Sequence, residues 1–368
     1  MPRFLTRRLA TGALIAALVV SCGGPGPSAT GADRSAEPSS STSPAATPSG
    51  DASASPGGTA PSATVPPASE RLTILLVGFD NTTERERSEL TDTVILASLD
   101  RVAGTVSLLG LPRDLSDFPL PGGAVYRQKL NSLYAEIRAN PGRFGGTAEV
   151  EPEAILAEVV GNLVDIPIDH WVTVDMDGFA GMVDALGGVD VYVEDPICDS
   201  GYRQLGLRGF EAAAGWWHMT GPQALGLARV RHDAGGSDFH RMRRQQGLLV
   251  AIRDAIVAAG ADDDPLGWLE RVPAIRTNLP PELIVDAASV VAAVSAQRIH
   301  GRLIQPFGNG GTELYDERGY VLRAEVDEIR EIAGLLFTEP GTRPSTGRPR
   351  PSPEKPATVP DLPRFNGC

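Results

Sequence analysis

One short stretch of the sequence, ARVRHDAGGSDFHRMRRQQ at residues 228–246, concentrates cationic side chains. Its arginines are Arg229, Arg231, Arg241, Arg243 and Arg244. Guanidinium groups bind phosphate oxygens in pairs, so the stretch is typical of an anion site. Because the whole chain carries a net charge of -13, such a site must be local. The alternative is a solvated helix face, since arginine is the usual cation here and Lys129 and Lys355 are the two lysines.

Charged side chains also stand at the ends of three predicted strands. Asp80 ends the first strand, Asp92 opens the second, and Arg113 and Asp114 follow the third in the tripeptide PRD. Ligands of α/β proteins bind at strand ends, so these side chains are candidates for one site. Each alone is more readily explained as an ordinary turn residue, and only their joint occurrence favours a site.

The stretch QKLNSLY adds Lys129 and Asn131, which we expect on one face of a short element. With the strand-end residues they supply carboxylates for a divalent cation beside cations for phosphate. This combination predicts a pyrophosphate site.

Alternating strand and helix patterns predict the elements that position these residues. The main predicted strands are 71–80, 92–100, 104–114 and 299–307. The main predicted helices are 150–165, 247–260 and 324–337. Residues 170–193 read as strand, helix, Gly-Gly stop and strand. The fold class is therefore α/β, with a mixed central sheet flanked by helices on both faces, in a single domain with one hydrophobic core.

Motifs and charge exclude several kinds of chemistry. The five histidines are scattered and neither CxxC nor HExxH occurs, so the common zinc patterns are absent from the sequence. GxSxG and a P-loop are absent as well. The 33 basic against 46 acidic residues argue against a general nucleic-acid binder. His232 and His240 are interpreted as polar loop residues rather than proton carriers.

The first 22 residues read as an export signal. Arginines precede an apolar run at 13–20, which is too short for a comfortable membrane span. The run leads into Val-Val-Ser-Cys22, which resembles the lipobox of bacterial lipoproteins, where the cysteine is lipidated. An uncleaved signal anchor is the alternative. Both interpretations place the rest of the chain outside the cytoplasm, at the cell-wall face of the membrane.

Composition divides the remainder of the chain. Residues 23–69 are almost entirely Gly, Pro, Ser, Ala and Thr, which predicts a disordered tether. Residues 340–368 form a Pro-rich tail with few apolar side chains. The folded domain is therefore expected at residues 70–339.

Six motifs in order resemble the LytR-CpsA-Psr family. They are LLVGFD, TDTVILASLD, VSLLGLPRD, KLNSLY, DHWVTVDMDGFAGMVDALGGVDVYV and GPQALGLARVRHDAGGSDFHRMRRQQ. The match runs from about Leu72 to Arg253 and covers most of the predicted domain. One such motif would be weak, whereas six with compatible spacings are a strong signal.

The resemblance implies an extracytoplasmic phosphotransferase that uses Mg²⁺. Such an enzyme moves an anionic glycopolymer from a polyprenyl-pyrophosphate carrier to a sugar hydroxyl of peptidoglycan. The implied partners are the lipid-linked glycopolymer, peptidoglycan and the membrane through a lipid anchor, with no nucleic acid. By position, Asp80 and Asp92 resemble the metal-binding carboxylates, and Arg113 and Lys129 resemble phosphate contacts.

The family signature RxR…DFxRxxRQQ supplies further site residues. It matches Arg229, Arg231, Asp238, Arg241, Arg244 and Gln245. The residues assigned to catalysis are Asp92, Arg113, Arg229, Arg231 and Arg241. Those assigned to substrate binding are Lys129, Asn131, Asp238, Arg244 and Gln245. Arg243 falls between signature positions and is expected to be solvated. Replacement of Arg231 or Arg241 is expected to weaken transition-state binding and to leave folding nearly unchanged.

The sequence departs from the family pattern at four positions. Thr82 and Leu90 stand where the family usually has arginines, so ligand affinity is expected to differ unless Arg85 or Arg87 reaches the site. Gly110 replaces a common serine before PRD, and His240 replaces a common glycine. Both of these are expected to be tolerated.

Three other functions compete with glycopolymer transfer. A pyrophosphatase would use the same site with water as acceptor. A non-catalytic lipoprotein would bind cell-wall glycolipids without turning them over. A DNA-binding attenuator, suggested by part of the family's name, conflicts with the export signal and the net acidity.

Two further features are expected beside the site. An apolar cavity should house the polyprenyl tail, with Leu133, Ile155, Val159 and Leu163 as candidate lining residues. If Cys22 carries lipid, Cys198 and Cys368 are the cysteines that remain. An exposed free thiol outside the cytoplasm is prone to oxidation, so we expect a disulfide between these two. The alternatives are two unpaired thiols, or a bridge from Cys368 to another molecule.

Overall fold

The computed structural model describes residues 71–80, 89–230, 238–260, 264–270, 275–294, 298–338 and 353–367. The strands of the described chain are β1 Arg71–Phe79, β2 Thr91–Asp100, β3 Thr105–Leu111, β4 Leu115–Ser116, β5 Phe118–Pro119, β6 Val125–Tyr126, β7 His170–Val174, β8 Val189–Val193, β9 Ile197–Gln204, β10 Leu207–Ala212, β11 Gly215–Met219, β12 Ile275–Thr277, β13 Ile299–Leu303, β14 Gln305–Pro306, β15 Gly310–Asp316 and β16 Gly319–Ala324. The α-helices are α1 Leu130–Ala139, α2 Pro152–Val164, α3 Met176–Ala185, α4 Gly221–Arg229, α5 Asp238–Ala258, α6 Pro265–Glu270, α7 Pro281–Ala293 and α8 Val326–Thr338, and a 3-10 helix spans Pro141–Phe144.

A six-stranded mixed sheet positions the predicted site residues. Its strand order is β12-β7-β1-β2-β3-β13. β1 is parallel to β7 and antiparallel to β2, while β3 is antiparallel to β2 and parallel to β13. The chain therefore leaves β1, β3, β7 and β13 at the same edge of the sheet at which it enters β2. This edge gathers the polar residues that follow β1 and β3 and that open β2.

Helices cover both faces of the sheet, as the sequence predicts. Because the side chains of a strand alternate, Ile74 and Leu76 of β1 pack on one face, while Leu75 and Val77 pack on the other. One core lies under α3, α4, α5 and α7, and the other lies under α1, α2 and α8. The expectation of one core is wrong, because a sheet with helices on both faces must bury two apolar layers.

The observed elements differ from the predicted ones at two places that matter for the site. α5 begins at Asp238, nine residues before the predicted start at 247, so the second half of the arginine-rich stretch is helical. The predicted strand at 299–307 is divided into β13 and the short β14. Among the described residues, no helix is both long enough and apolar enough to cross a membrane.

Candidate active site

Asp92, the second residue of β2, lies at the centre of the candidate site. Arg113 donates through Nη1 to Oδ1 of Asp92 at 3.2 Å. On the other carboxylate oxygen, Oδ2, Nη1 of Arg229 lies at 3.5 Å and Nη1 of Arg241 at 3.9 Å. Three arginines, one from the turn after β3 and two from the arginine-rich stretch, therefore converge on one carboxylate, whose side chain is 12% exposed.

Asp80 joins this cluster through Arg229. Nη2 of Arg229 lies 2.9 Å from Oδ1 of Asp80, so a single guanidinium contacts both predicted metal-binding carboxylates. Oδ1 of Asp80 is buried and accepts no well-aligned hydrogen bond from the described chain, so this contact is an ion pair. The three guanidinium groups exceed the two carboxylates by one positive charge, which favours an anionic ligand.

The PRD tripeptide links the cluster to Lys129. Asp114 accepts a hydrogen bond from Nζ of Lys129 at 2.8 Å and lies 3.5 Å from Nε of Arg113. The backbone N–H of Asn131 donates to the carbonyl of Arg113 at 3.0 Å, which ties the start of α1 to this turn. The expectation that Lys129 and Asn131 share a face is wrong, because Lys129 is the N-cap of α1 and Asn131 lies in its first turn.

The signature arginines on α5 have two different surroundings. Arg241 is 1% exposed, and besides its contact with the carboxylate of Asp92 it donates through Nη2 to the Asp92 carbonyl at 3.4 Å. Arg244 and Gln245 instead donate to carbonyls at the end of α4. Their acceptors are Leu227, Val230 and Ala228. Arg244 and Gln245 therefore hold in place the helix that carries Arg229.

The structure tests the predictions for Arg243 and Gly110 and leaves those for Arg231 and Asp238 untested. Arg231 and the side chain of Asp238 lie outside the described residues. Arg243 is half-buried, and its Nε is buried without a hydrogen bond to the described chain, so the expectation of a fully solvated side chain is wrong. Packing explains why Gly110 is tolerated, since a Cβ at this position would lie 2.5 Å from Leu303 and 3.0 Å from Met242.

An apolar cavity of about 970 Å³, counting its open mouth, adjoins the charged cluster. Asp92, Arg229, Arg241 and Gln245 are part of its wall. Its apolar lining includes Leu76, Ile95, Val172, Met176, Phe179, Met182, Leu225, Leu248, Leu249 and Ile275. A ligand with an anionic group joined to a long apolar chain could place both parts here at once.

The prediction of which residues line this cavity was wrong. Leu133, Ile155, Val159 and Leu163 belong to the core under α1 and α2, on the opposite face of the sheet. The cavity lies between the sheet and α3, α4 and α5. The expected residues are buried because they pack against that other core, in which each is at most 1% exposed.

Sequence reasoning also missed Asp175, which is one of the residues that line the cavity. It is the N-cap of α3 and accepts a hydrogen bond from the Gly178 N–H at 2.7 Å. Burial raises the pKa of Asp175, and the hydrogen bond from Gly178 opposes this change. The acidic residue after the strand 170–174 was a signal that could have been treated like Asp80, which follows β1.

The carboxylates of Asp80 and Asp92 form a pair that suits a hard divalent cation. No cluster of three or more acidic, histidine or cysteine side chains that could hold a metal occurs in the described part of the chain. Mg²⁺ commonly binds one or two carboxylates together with substrate phosphates and water. Asp80 and Asp92 match this donor set, and the buried Oδ1 of Asp80 lacks a well-aligned hydrogen-bond donor. Lys129 and Asn131 contact Asp114 and the Arg113 carbonyl, so the PRD turn links them to Arg113, which contacts Asp92.

The cysteines bear on the predicted lipid anchor and disulfide. Cys198 lies in β9 and is disulfide-bonded. Cys22 and Cys368 lie outside the described residues, as do Thr82, Arg85 and Arg87. The pairing of Cys198 with Cys368 and the lipidation of Cys22 therefore stay predictions.

Comparison with known sequences identifies the family. The sequence model of the LytR_cpsA_psr family matches residues 38–309. The chain belongs to the LytR-CpsA-Psr family. The six motifs that suggested this family therefore identified it correctly, and the arginine-rich stretch lies within the matched region.

Relatives in the LytR-CpsA-Psr family include proteins named as transferases. The chain is 31% identical over 218 residues to the polyisoprenyl-teichoic acid--peptidoglycan teichoic acid transferase TagU of Halalkalibacterium halodurans, over 58% of this chain and 62% of that protein. It is 30% identical over 187 residues to the transferase TagV of Bacillus subtilis, over 50% of this chain and 44% of that protein. The chain thus spans less than two thirds of the length of these relatives.

Solved structures of the family share the fold. Bacillus subtilis TagV matches with a TM-score of 0.58 at 24% identity, over 74% of this chain and 98% of that chain. TagT bound to LI-WTA matches with a TM-score of 0.53 at 21% identity, over 74% of this chain and 92% of that chain. At these identities the likeness concerns the fold, and it agrees with the mixed α/β architecture described above.

Proposed function

We propose that this LytR-CpsA-Psr protein transfers an anionic glycopolymer from a polyprenyl-pyrophosphate carrier to a sugar hydroxyl of peptidoglycan. The observation that carries the proposal is the junction of the arginine cluster with the apolar cavity. Arg229 and Arg241 contact Asp92 and also line the cavity. A pyrophosphate at this junction would lie on guanidinium groups while its polyprenyl chain entered the cavity. The names of TagU and TagV describe transfer of teichoic acid to peptidoglycan and support the same class of reaction.

The arginines would act by positioning the pyrophosphate and by neutralising its charge. Phosphoryl transfer needs little covalent help from a protein, and guanidinium groups hold phosphate oxygens in a fixed orientation. In the proposed reaction the acceptor hydroxyl loses its proton to solvent, and its oxygen forms a bond to the phosphorus next to the glycopolymer. The bond from this phosphorus to the bridging oxygen breaks, and polyprenyl phosphate leaves with the electron pair. Arg113, Arg229 and Arg241 would hold the oxygens on which negative charge accumulates.

Mg²⁺ is part of the proposal, with Asp80 and Asp92 as the residues that would hold it. When bound, the ion would withdraw charge from the pyrophosphate oxygens and so improve the leaving group. Asp114 would keep Lys129 beside the cluster through their 2.8 Å hydrogen bond. The Lys129 side chain is 28% exposed, so its ammonium can contact a phosphate that approaches from the solvent.

The proposed location is the cell-wall face of the membrane, with Cys22 as the lipid-bearing residue. A lipid anchor would keep the site near a substrate that is itself held in the bilayer, and this raises their effective concentration. Metabolic labelling with a fatty-acid analogue should modify the wild-type protein in its native host and should not modify Cys22→Ser. Equal labelling of both proteins would refute Cys22 as the anchor.

A direct assay can test the transferase proposal. The chain is incubated with a synthetic polyprenyl-pyrophosphate oligosaccharide, peptidoglycan fragments and Mg²⁺, and the products are measured by mass spectrometry. We expect a phosphodiester-linked conjugate that Arg229→Ala does not form. Arg208→Ala, which removes an exposed arginine of β10, is the matched control and should retain activity. Release of phosphorylated oligosaccharide without conjugate would instead establish a pyrophosphatase, and binding without turnover would establish a carrier.

A further inference from the structure

Residues 353–367 form an ordered C-terminal strap, although their composition is typical of a linker. The strap lies outside the matched family region, which ends at residue 309. Its backbone pairs with β11: the N–H of His218 donates to the carbonyl of Pro360 at 2.8 Å, and the N–H of Leu362 donates to the carbonyl of His218 at 2.9 Å. The strap therefore extends the β8–β11 pair by a short parallel bridge.

Side chains fix the strap along its whole length. Near its start, the indole of Trp216 donates to the carbonyl of Pro353 at 3.1 Å, and Lys355 pairs with Asp190 at 3.0 Å. In the middle, Leu362 is 6% exposed and belongs to the core under α4 and α5. Prolines restrict φ in the unfolded chain, so ordering a segment of this composition costs less entropy than its length suggests.

The end of the strap packs against β9 and β10. The ring of Phe365 fills the space at Gly209, where a Cβ would lie 2.3 Å from it and where φ is +117°. Phe210 and Glu211, the next two residues of β10, pair with Asp199 and with the disulfide-bonded Cys198 of β9. The strap thus approaches the strand that carries this disulfide.

The strap also contacts the helix that ends in the candidate site. The side-chain amide of Gln223 in α4 makes two hydrogen bonds. Its Oε1 accepts from the Thr220 N–H at 2.9 Å, and its Nε2 donates to the Leu362 carbonyl at 2.9 Å. The first interaction caps α4 and the second ties the cap to the strap. α4 ends at Arg229, which contacts Asp80 and Asp92.

We infer that the C-terminal strap positions Arg229 for the proposed reaction by fixing the start of α4. Arg244 and Gln245 hold the carbonyl end of α4, and the strap holds its amino end through Gln223. The predicted pairing of the disulfide-bonded Cys198 with Cys368 would hold the end of the strap against β9. Gln223 and Leu362 are therefore positioning residues, which act through Arg229 and do not contact the substrate. The kinetic part of this inference rests on the proposed function, whereas the structural part does not.

The variant Gln223→Glu isolates the contact between strap and helix. Glutamate keeps an oxygen for the Thr220 N–H and removes the donor to the Leu362 carbonyl, so the cap is retained and the strap contact is lost. Cys198→Ser tests the disulfide independently. Arg364→Ala changes an exposed strap residue and is the matched control.

Hydrogen–deuterium exchange of the full chain tests the inference without any substrate. In Gln223→Glu we expect amides of α4 to exchange about tenfold faster, the scale of one lost hydrogen bond, and in Cys198→Ser we expect the same amides to exchange faster because the strap is released. Amides of α2, on the other face of the sheet, should be unchanged, and Arg364→Ala should match the wild type. Unchanged exchange in α4 of both variants would overturn the inference even if the chain proves to be a transferase.

Binding of inorganic pyrophosphate, measured by calorimetry, then tests whether the strap acts through Arg229. Gln223→Glu should weaken binding about tenfold in the wild-type background and should have no further effect in Arg229→Ala, because coupled residues are not additive. Equal losses in both backgrounds would show a general structural role and would overturn the positioning role.

Discussion

The guanidinium of Arg229 lies 2.9 Å from the carboxylate of Asp80. Arg229 is the last residue of α4, and Asp80 follows directly after β1. This ion pair therefore joins a helix end to a strand end beside the apolar cavity, which Arg229 lines. The second nitrogen of Arg229 reaches Asp92, so a change in this one side chain affects both carboxylates.

Replacement of Arg229 by alanine should reduce the transfer rate far more than it reduces stability. Loss of a preorganised donor to a developing charge typically costs about 2.7–4 kcal/mol of transition-state stabilisation, or about 10²–10³-fold in rate. The Arg229 side chain is 18% exposed, against 2% for Arg241, so its removal opens space that solvent can reach, whereas removal of Arg241 leaves an enclosed void. Rates are measured with the lipid-linked donor, and Arg208→Ala is the control. A loss of rate no larger than that of Arg208→Ala would remove Arg229 from the reaction.

Arg241 should behave differently from Arg229, which revises the expectation drawn from the sequence. Arg241 is 1% exposed and is among the largest fully buried side chains of the described chain. Its replacement by alanine would lose packing as well as charge, so folding would not be left unchanged. Arg229→Ala is therefore the clearer test of catalysis.

Replacement of Asp92 by asparagine should raise the Mg²⁺ concentration needed for half-maximal rate. The change removes charge from a hard-cation site while it retains the shape of the side chain. We expect a shift of at least about tenfold, the scale on which altered metal surroundings act. Asp100→Asn, at the other end of β2, is the matched control. A Mg²⁺ titration that coincides with the wild type would place the metal away from Asp92.

The position of the site could be predicted from the sequence because it depends on local patterns. Apolar runs defined β1, β2 and β3, and the charged residues at their ends follow from the chain order alone. Convergence of Arg241 on Asp92 could not be predicted, since it depends on how α5 packs over the sheet across 149 residues of sequence separation. The family resemblance supplied this link where periodicity could not.

The side of the sheet that carries the cavity could not be predicted either. A strand pattern shows that Leu75 and Leu76 face opposite ways, but it does not say which helices cover each face.

The C-terminal strap was not predicted from the sequence for another reason. Its prolines and exposed polar residues are typical of a linker, and its stability comes from long-range contacts such as Leu362 in the core.

Filling the apolar cavity should discriminate between donors by chain length. Ala228 lines the cavity and lies beside Arg229 on α4, so Ala228→Leu adds volume with only a small loss of helix propensity. We expect KM for a long polyprenyl donor to rise roughly tenfold, consistent with the cost of overpacking, and KM for a short-chain donor to change little. Ala139→Leu, at the exposed end of α1, is the control. Equal effects on both donors would place the polyprenyl chain elsewhere.

Replacement of Asp175 by asparagine should stabilise the protein near neutral pH. Burial raises the folded-state pKa of Asp175, so the folded state favours the protonated form, and stability falls as pH rises through the ordinary value towards the raised one. Asparagine cannot ionise and still caps α3. The gain in Tm should therefore be present at pH 7 and should shrink as pH falls below about 4, near the ordinary pKa of aspartate. Glu158→Gln, on the exposed side of α2, should show no such dependence. A gain that is the same at both pH values would refute the role of the charge.

The disulfide of Cys198 should connect to Cys368 and should stabilise the domain by holding the strap. Cys198 is disulfide-bonded, and Cys22 and Cys368 are the other cysteines of the chain. Phe365 brings the strap to β9 and β10, so only a short further segment of chain would separate it from a bond between Cys368 and Cys198. In the chain-entropy model a loop of this length contributes at most about 5 kcal/mol. Digestion without reduction should yield one linked pair of peptides containing Cys198 and Cys368, and Cys198→Ser should lower Tm, whereas Ser200→Ala on the same strand should not. Two alkylated thiols in the denatured, unreduced protein, or a linked peptide that contains Cys22, would show that the strap is held without this bond.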